Sequence, residues 1–272
     1  MEDTPEQPSP KPPAKFGDLL VRIVSAVVLA AIGGLVFWEG GGFVVALLVV
    51  VGGLMSWEYR QLILTDASNK DMGLWVMVAG TTGAVIAANL FGIFFGLIPI
   101  VVSSFILLQI KHKRPIWIAF GMLYLAVPLA TLVVTRENQG LGPILWLFGV
   151  VIASDVGGYF AGRTFGGPKF WPAISPKKTW SGTIGGWVLA IGVGFVYWAL
   201  GGTMGFWESV LLSVPLAMAG QAGDLFESWL KRKAGVKDSS NLIPGHGGFL
   251  DRFDAMLAAT SLYLILNLIK VT

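Results

Sequence analysis

Residues 19–38 read LLVRIVSAVVLAAIGGLVFW, a run of 20 residues whose one charge is Arg22. At 1.5 Å per residue such a run is about 30 Å long, the thickness of the hydrocarbon core of a bilayer. A cleavable signal has a shorter apolar region followed by a small-residue cleavage site, so this run reads as a membrane span. Ahead of it, residues 1–15, MEDTPEQPSPKPPAK, hold five prolines and no apolar run. That composition predicts a disordered polar tail, bounded at residue 18. Apolar runs then recur at about 42–64, 73–90, 92–110, 115–135, 142–162, 182–200, 205–228 and 253–270. The breaks fall at the glycines 40–42, the charged stretch 66–71, Gly92, the basic stretch 111–114 and residues 136–140.

Composition agrees with this reading. Of 272 residues, 54% are hydrophobic and 13% charged, against roughly 25% charged in a soluble domain. Lipid must be the solvent for most of the chain, and in lipid only helices or closed barrels satisfy the backbone. The expected fold class is therefore an all-α, polytopic integral membrane protein with about nine transmembrane helices and two functional cytoplasmic loops. The domain division expected is a tail at 1–18, N-terminal helices at 19–141 and a C-terminal catalytic region at 142–272. The absence of cysteine excludes disulfides and thiolate chemistry. Two histidines are too few for a His-rich metal site.

Orientation follows from the positive-inside rule. With the N-terminus in the cytoplasm and nine spans, 17 of the 19 Lys and Arg fall on the cytoplasmic side, all but Arg136 and Lys270. The predicted location is a bacterial-type cell inner membrane, with the bilayer as a partner and no nucleic acid; a homodimer is left open.

Two cytoplasmic loops are chemically denser than a connection needs. Residues 162–181 read GRTFGGPKFWPAISPKKTWS and residues 231–252 read KRKAGVKDSSNLIPGHGGFLDR. Clustered cations attract phosphates, and glycines let backbone N–H groups approach phosphate oxygens. The plainer reading of a basic loop, a topology anchor, suffices for Lys111, Lys113 and Arg114. It does not account for a histidine, glycine pairs and paired aspartates. Carboxylates in apolar helices are costly and mark function: Asp155, the pair Asp224 and Glu227, and the pair Asp251 and Asp254 all lie near one membrane face. The structural alternative for each pair is an internal salt bridge to Lys231, Arg232 or Arg252. Carboxylate oxygens from two helices beside phosphate-binding loops also suit Mg2+. His246 reads first as a hydrogen-bonding group in its glycine turn, His112 receives no role, and Glu58 is expected to pair locally with Arg60, its depth near the cytoplasmic face leaving a functional role as the minor alternative.

From Ser228 to Asp254 the segment SWLKRKAGVKDSSNLIPGHGGFLDRFD resembles the signature of the phosphatidate cytidylyltransferase, or CDP-diacylglycerol synthase, family. The matching positions are Ser228, Lys231, Arg232, Lys237, Asp238, Ser240, Pro244, His246, Gly247, Gly248, Asp251, Arg252 and Asp254. Upstream, Asp155, Tyr159, Gly162 and Arg163, with Ser175, Pro176, Lys177, Lys178 and Thr179, resemble the family's second region. Where many members have Glu after the Trp of that region, this chain has Ser181, and no role is carried onto it. The resemblance implies transfer of CMP from CTP to phosphatidate, giving CDP-diacylglycerol and pyrophosphate, with Mg2+ required and K+ an option at a second site. It implies catalytic roles for Asp224, Asp251, Lys231, Arg232, Lys237 and His246, with Asp224 and Asp251 as metal ligands. It implies substrate contacts from Asp155, Tyr159, Arg163, Ser175, Lys177, Lys178, Thr179, Ser228, Gly247, Gly248 and Arg252. A transporter is the reading from another class, and a CTP-dependent lipid kinase the alternative among enzymes; clustering of the acids at one face argues against the first.

Overall fold

Three of the breaks between helices are single glycines, and the computed structural model shows why one residue is enough. Gly40, Gly92 and Gly140 have φ of 78°, 91° and 83°, a left-handed backbone that reverses the chain at once and that glycine adopts without steric cost. They separate α1 (Phe16–Glu39) from α2 (Gly41–Ile63), α3 (Met72–Phe91) from α4 (Ile93–Gln109), and α5 (Pro115–Gln139) from α6 (Leu141–Phe165). The chain continues through the strands β1 (Lys169–Trp171) and β2 (Ser175–Thr179) to α7 (Trp180–Ala199), α8 (Phe206–Lys233) and α9 (Leu250–Val271). The structure describes residues 16–64, 72–111 and 113–271. The tail through Lys15, the charged connection 66–71 and His112 lie outside the described residues.

The fold is all-α and polytopic, as the apolar runs predict. Eight of the nine helices among the described residues are long and apolar enough to cross a membrane, and α4, with 17 residues and Pro99 inside it, is shorter. The expected break at 136–140 narrows to Gly140, because Arg136 and Glu137 stay helical and serve their neighbours. Arg136 donates to the carbonyls of Phe37 and Trp38 at 2.6 and 2.8 Å, and Glu137 accepts from the Gly41 amide at 2.8 Å. These bonds satisfy backbone groups that the end of α1 and the start of α2 leave open.

The core is built around α5, whose Met122, Leu125, Leu129 and Val133 are completely buried. At the opposite extreme, no residue in the apolar window of α1 is buried. α6 and α7 approach through small residues, as helices do where packing rather than hydrophobicity must hold them. A Cβ placed on Gly157 would lie 2.7 Å from the Gly185 carbonyl, and one on Gly186 would lie 2.6 Å from the Ser154 carbonyl. The two backbones touch.

The ends of the dense loops differ from expectation. β1 and β2 form an antiparallel pair pairing Lys169 with Thr179 and Trp171 with Ser175, so residues 162–181 are less a loop than a helix end, a hairpin and a helix start. Thr179 caps α7 by accepting from the Gly182 amide at 3.2 Å. Lys231, Arg232 and Lys233, read as loop, form the last turn of α8, where cations complement the exposed carbonyls. α9 starts at Leu250, which brings Asp251 and Arg252 into its first turn.

Candidate active site

The C-terminal half of α8 carries Asp224, Glu227, Ser228 and Lys231 at spacings of three and four, so they share one helix face. Asp224 forms an ion pair with Lys178 of β2 and accepts from Ser228 Oγ at 3.3 Å. Lys231 Nζ lies between two carboxylates, 2.5 Å from Glu227 Oε2 and 2.7 Å from Asp251 Oδ1. Asp254 stands next to Glu227 and within electrostatic reach of Asp224, while Asp155 lies within electrostatic reach of Asp224, Lys178 and Arg252. A continuous row of charge results, Asp155, Lys178, Asp224, Asp254, Glu227, Lys231 and Asp251, crossing from α6 to α9 with acids in excess.

Asp251 also organises the segment between α8 and α9. Its Oδ2 accepts from the Ser239 amide, the Ser239 hydroxyl and the Gly248 amide, each at 2.8 Å, leaving Oδ1 for a cation. The turn before α9 needs glycine: Gly247 has φ 84° and a Cβ there would sit 2.8 Å from Asp251 Oδ2. A second buried carboxylate closes the segment from the other side. Glu58 of α2 is fully buried; its Oε1 accepts from Ser240 Oγ at 2.6 Å and from the Phe249 amide at 3.0 Å, and its Oε2 from the Leu250 amide at 2.6 Å. Glu58 thus reaches a loop far away in sequence, a role beyond the local pairing with Arg60 that its position suggests. A Cβ on Gly248 would collide with Glu58 and with Ser239.

Two cavities flank the charged row. One, of about 480 Å3, lies among α6, α7, α8 and the hairpin; Asp155, Tyr159, Arg163, Lys177 and Lys178 line it together with Phe170, Leu225 and the backbone of several glycines. Its floor is a polar network in which Trp187 donates to Gln221 at 3.0 Å and Gln221 donates to Ser154 at 3.1 Å. The other, of about 510 Å3, is walled by the signature segment and by α1, with Lys237, Asp238, His246, Arg252 and Arg22 around it. Arg252, which lines the second cavity, lies within electrostatic reach of Asp155 of the first.

The residues singled out in the sequence distribute over this arrangement unevenly. Asp155, Tyr159, Arg163, Lys177, Lys178 and Thr179 meet at the first cavity, and Lys237, His246, Gly247 and Arg252 at the second. Asp224, Ser228, Lys231 and Asp251 lie in or beside the row of charge, with Gly248 bonded to Asp251. Two expected site residues stand apart: exposed Arg232 donates to the Val236 carbonyl at 3.2 Å, and Ser175 is held in the hairpin opposite Trp171. His246 Nδ1 shares a hydrogen bond of 2.8 Å with Ser25 Oγ of α1. Ser181 donates to the Gly166 carbonyl. The salt bridges weighed as an alternative do form, though Asp224 finds Lys178 in place of Arg232 or Arg252. Among the described residues no group of three or more His, Asp or Glu stands ready to hold a metal by itself. The sequence reading missed Glu58 as a support of the signature segment, and Ser25 and Arg22 altogether; its only hint of Glu58 was a carboxylate in an apolar run.

Fold and site together define a polytopic membrane protein with a polar centre rich in carboxylates and lysines, flanked by two cavities lined with cations. The chain belongs to the cytidylyltransferase family, whose profile matches residues 20–269. It is similar to the phosphatidate cytidylyltransferase of Brucella suis biovar 1, 37% identical over 261 residues that cover 93% of this chain and 95% of the relative. The phosphatidate cytidylyltransferase of Helicobacter pylori strain J99 is 34% identical over 257 residues, covering 92% of each. That of Staphylococcus saprophyticus is 42% identical over 144 residues, 53% of this chain and 55% of the relative.

Proposed function

We propose that this protein joins CTP to phosphatidate, forming CDP-diacylglycerol and releasing pyrophosphate. A phosphate oxygen of phosphatidate attacks the α-phosphorus of CTP; a new P–O bond forms, the bond between the α-phosphorus and its bridging oxygen breaks, and that oxygen leaves with the pyrophosphate. Little proton transfer is needed, because a phosphate monoester is largely ionised near neutral pH. Catalysis therefore rests on in-line placement and on neutralising charge. The observation that carries this reading is the pair of cavities with unlike walls beside the charged row. The first mixes cations with apolar and glycine surface, which suits a lipid headgroup entering from the bilayer, with Arg163, Lys177 and Lys178 on its phosphate. The second is polar, which suits the nucleotide, with Lys237 and Arg252 on the triphosphate.

Mg2+ fits the residues present. Asp224 and Asp251 each already carry a lysine ammonium against a carboxylate oxygen, so both are cation sites with hard donors. One or two carboxylates plus substrate phosphates are what Mg2+ takes, and when bound it would neutralise charge on the phosphates. K+ is the candidate for a second cation, given the acid excess contributed by Glu227 and Asp254. The excess of Lys and Arg at the site end of the bundle supports a cytoplasmic site in an inner membrane. The test is product analysis of purified protein supplied with CTP, Mg2+ and phosphatidate: CDP-diacylglycerol and pyrophosphate in equal amounts support the proposal, and their absence refutes it.

A further inference from the structure

α1 is the helix least held by the bundle, yet two of its residues reach the signature segment. Ser25 Oγ lies 2.8 Å from His246 Nδ1 and 3.1 Å from the Pro244 carbonyl. Gly245, between those two residues, has φ 74°, and a Cβ on it would sit 2.7 Å from Arg22 Cγ. The turn 244–246 is therefore pressed directly onto α1. Arg22 stands three residues before Ser25, on the same helix face, and lines the polar cavity of about 510 Å3 with Lys237 and Arg252. These three cations face one acid, Asp238. Arg22 is the one charge in the run 19–38, near its start, and a cation in an apolar segment is tolerated where it meets water or an anion.

We infer that Arg22 is a substrate-binding residue, contacting the phosphates of the nucleotide, and that Ser25 is a positioning residue that holds the turn 244–246 against it. The inference rests on the reading of the polar cavity as the nucleotide site. α1 thus completes a site otherwise built from the other end of the chain. Its far end is tied separately, by Arg136 to the carbonyls of Phe37 and Trp38, so the helix is pinned at both ends while its middle is open to lipid. The competing account is that Arg22 merely reaches toward anionic headgroups at the membrane surface, as basic residues near span ends do.

The experiment compares Arg22→Ala, Arg22→Lys and Ser25→Ala with the unmodified protein in detergent, varying CTP and phosphatidate independently. Arg114→Ala, a basic residue at the start of α5 outside both cavities, serves as the control for surface charge. Loss of a charge-assisted contact should raise KM for CTP about tenfold or more in Arg22→Ala, with KM for phosphatidate unchanged and with a smaller rise in Arg22→Lys. Ser25→Ala should lower kcat more than it changes either KM. As a readout apart from turnover, CTP should protect the unmodified protein against thermal unfolding at concentrations where Arg22→Ala gains nothing. Arg22→Lys keeps the charge and the stem and so carries the test if the alanine variant folds poorly. An unchanged KM for CTP in both Arg22 variants, or a rise confined to phosphatidate, overturns the inference while leaving the proposed reaction standing. Failure of the unmodified protein to use CTP at all refutes the proposed reaction and the inference together.

Discussion

Glu58 offers the sharpest test of how the signature segment is held. Its carboxylate accepts from the amides of Phe249 and Leu250 and from the hydroxyl of Ser240 at 2.6 to 3.0 Å, in full burial. Hydrogen bonds to a charged group contribute roughly 1.5 to 3 kcal/mol each. Glu58→Ala removes the partner of two backbone donors at the start of α9 and should cost roughly 3 to 6 kcal/mol. Glu58→Gln keeps one carbonyl oxygen, but whichever way the amide turns, its NH2 group meets one of the donors. About half the loss, roughly 1.5 to 3 kcal/mol, is then expected. For a chain of this size the alanine variant should melt on the order of 10 °C lower. The damage should reach the chemistry, because Leu250 adjoins Asp251 and a frayed start of α9 moves the carboxylate that Lys231 and Ser239 share. The assay is thermal unfolding in detergent alongside CTP turnover measured well below the transition. If Glu58→Ala melted with the unmodified protein and kept its turnover, the carboxylate would not be holding the segment, and the account of its role would be wrong.

Asp224→Asn and Asp251→Asn should lower turnover by orders of magnitude at saturating Mg2+ while folded protein persists, and Lys178→Ala should weaken substrate use where Lys111→Ala does not; turnover titrated against Mg2+ for all four checks this. In the α6–α7 seam Gly185→Leu should destabilise by at least about 1 to 3 kcal/mol, since even a Cβ there meets Ala161, whereas Gly192→Leu, with open space around it, should melt like the unmodified protein. Cysteines introduced at the exposed positions Ala173 and Val236 of a chain that has none of its own should resist an impermeant thiol reagent in intact cells and react once the membrane is opened; reaction from outside would reverse the proposed orientation.

Helix number was legible because each span is an uninterrupted apolar run, and Gly40, Gly92 and Gly140 are punctuation that needs no tertiary information. Helix ends were less legible. α8 runs on to Lys233 because Glu227 and Lys231 pair one turn apart, and the hairpin Lys169 to Thr179 is too short and too rich in proline and lysine to show an alternating pattern. The signature segment stood out because a topology anchor needs no paired aspartates or glycine turn. What supports that segment was hidden for a plain reason. Glu58 meets its partners 182 to 192 positions away, and Ser25 meets His246 across 221, distances over which no local pattern speaks. Read alone, the first looks like a partner for Arg60 and the second like one more small residue in a span.

The central claim is that CTP gives its α-phosphate to a lipid. The most direct measurement supplies purified protein, Mg2+ and phosphatidate with CTP radiolabelled either at the α-phosphate or at the γ-phosphate, then separates lipid from water-soluble products. The account predicts α-label in the lipid as CDP-diacylglycerol and γ-label in pyrophosphate. Label from the γ-phosphate in the lipid would mark a kinase instead, and no label in the lipid from either would contradict the account outright.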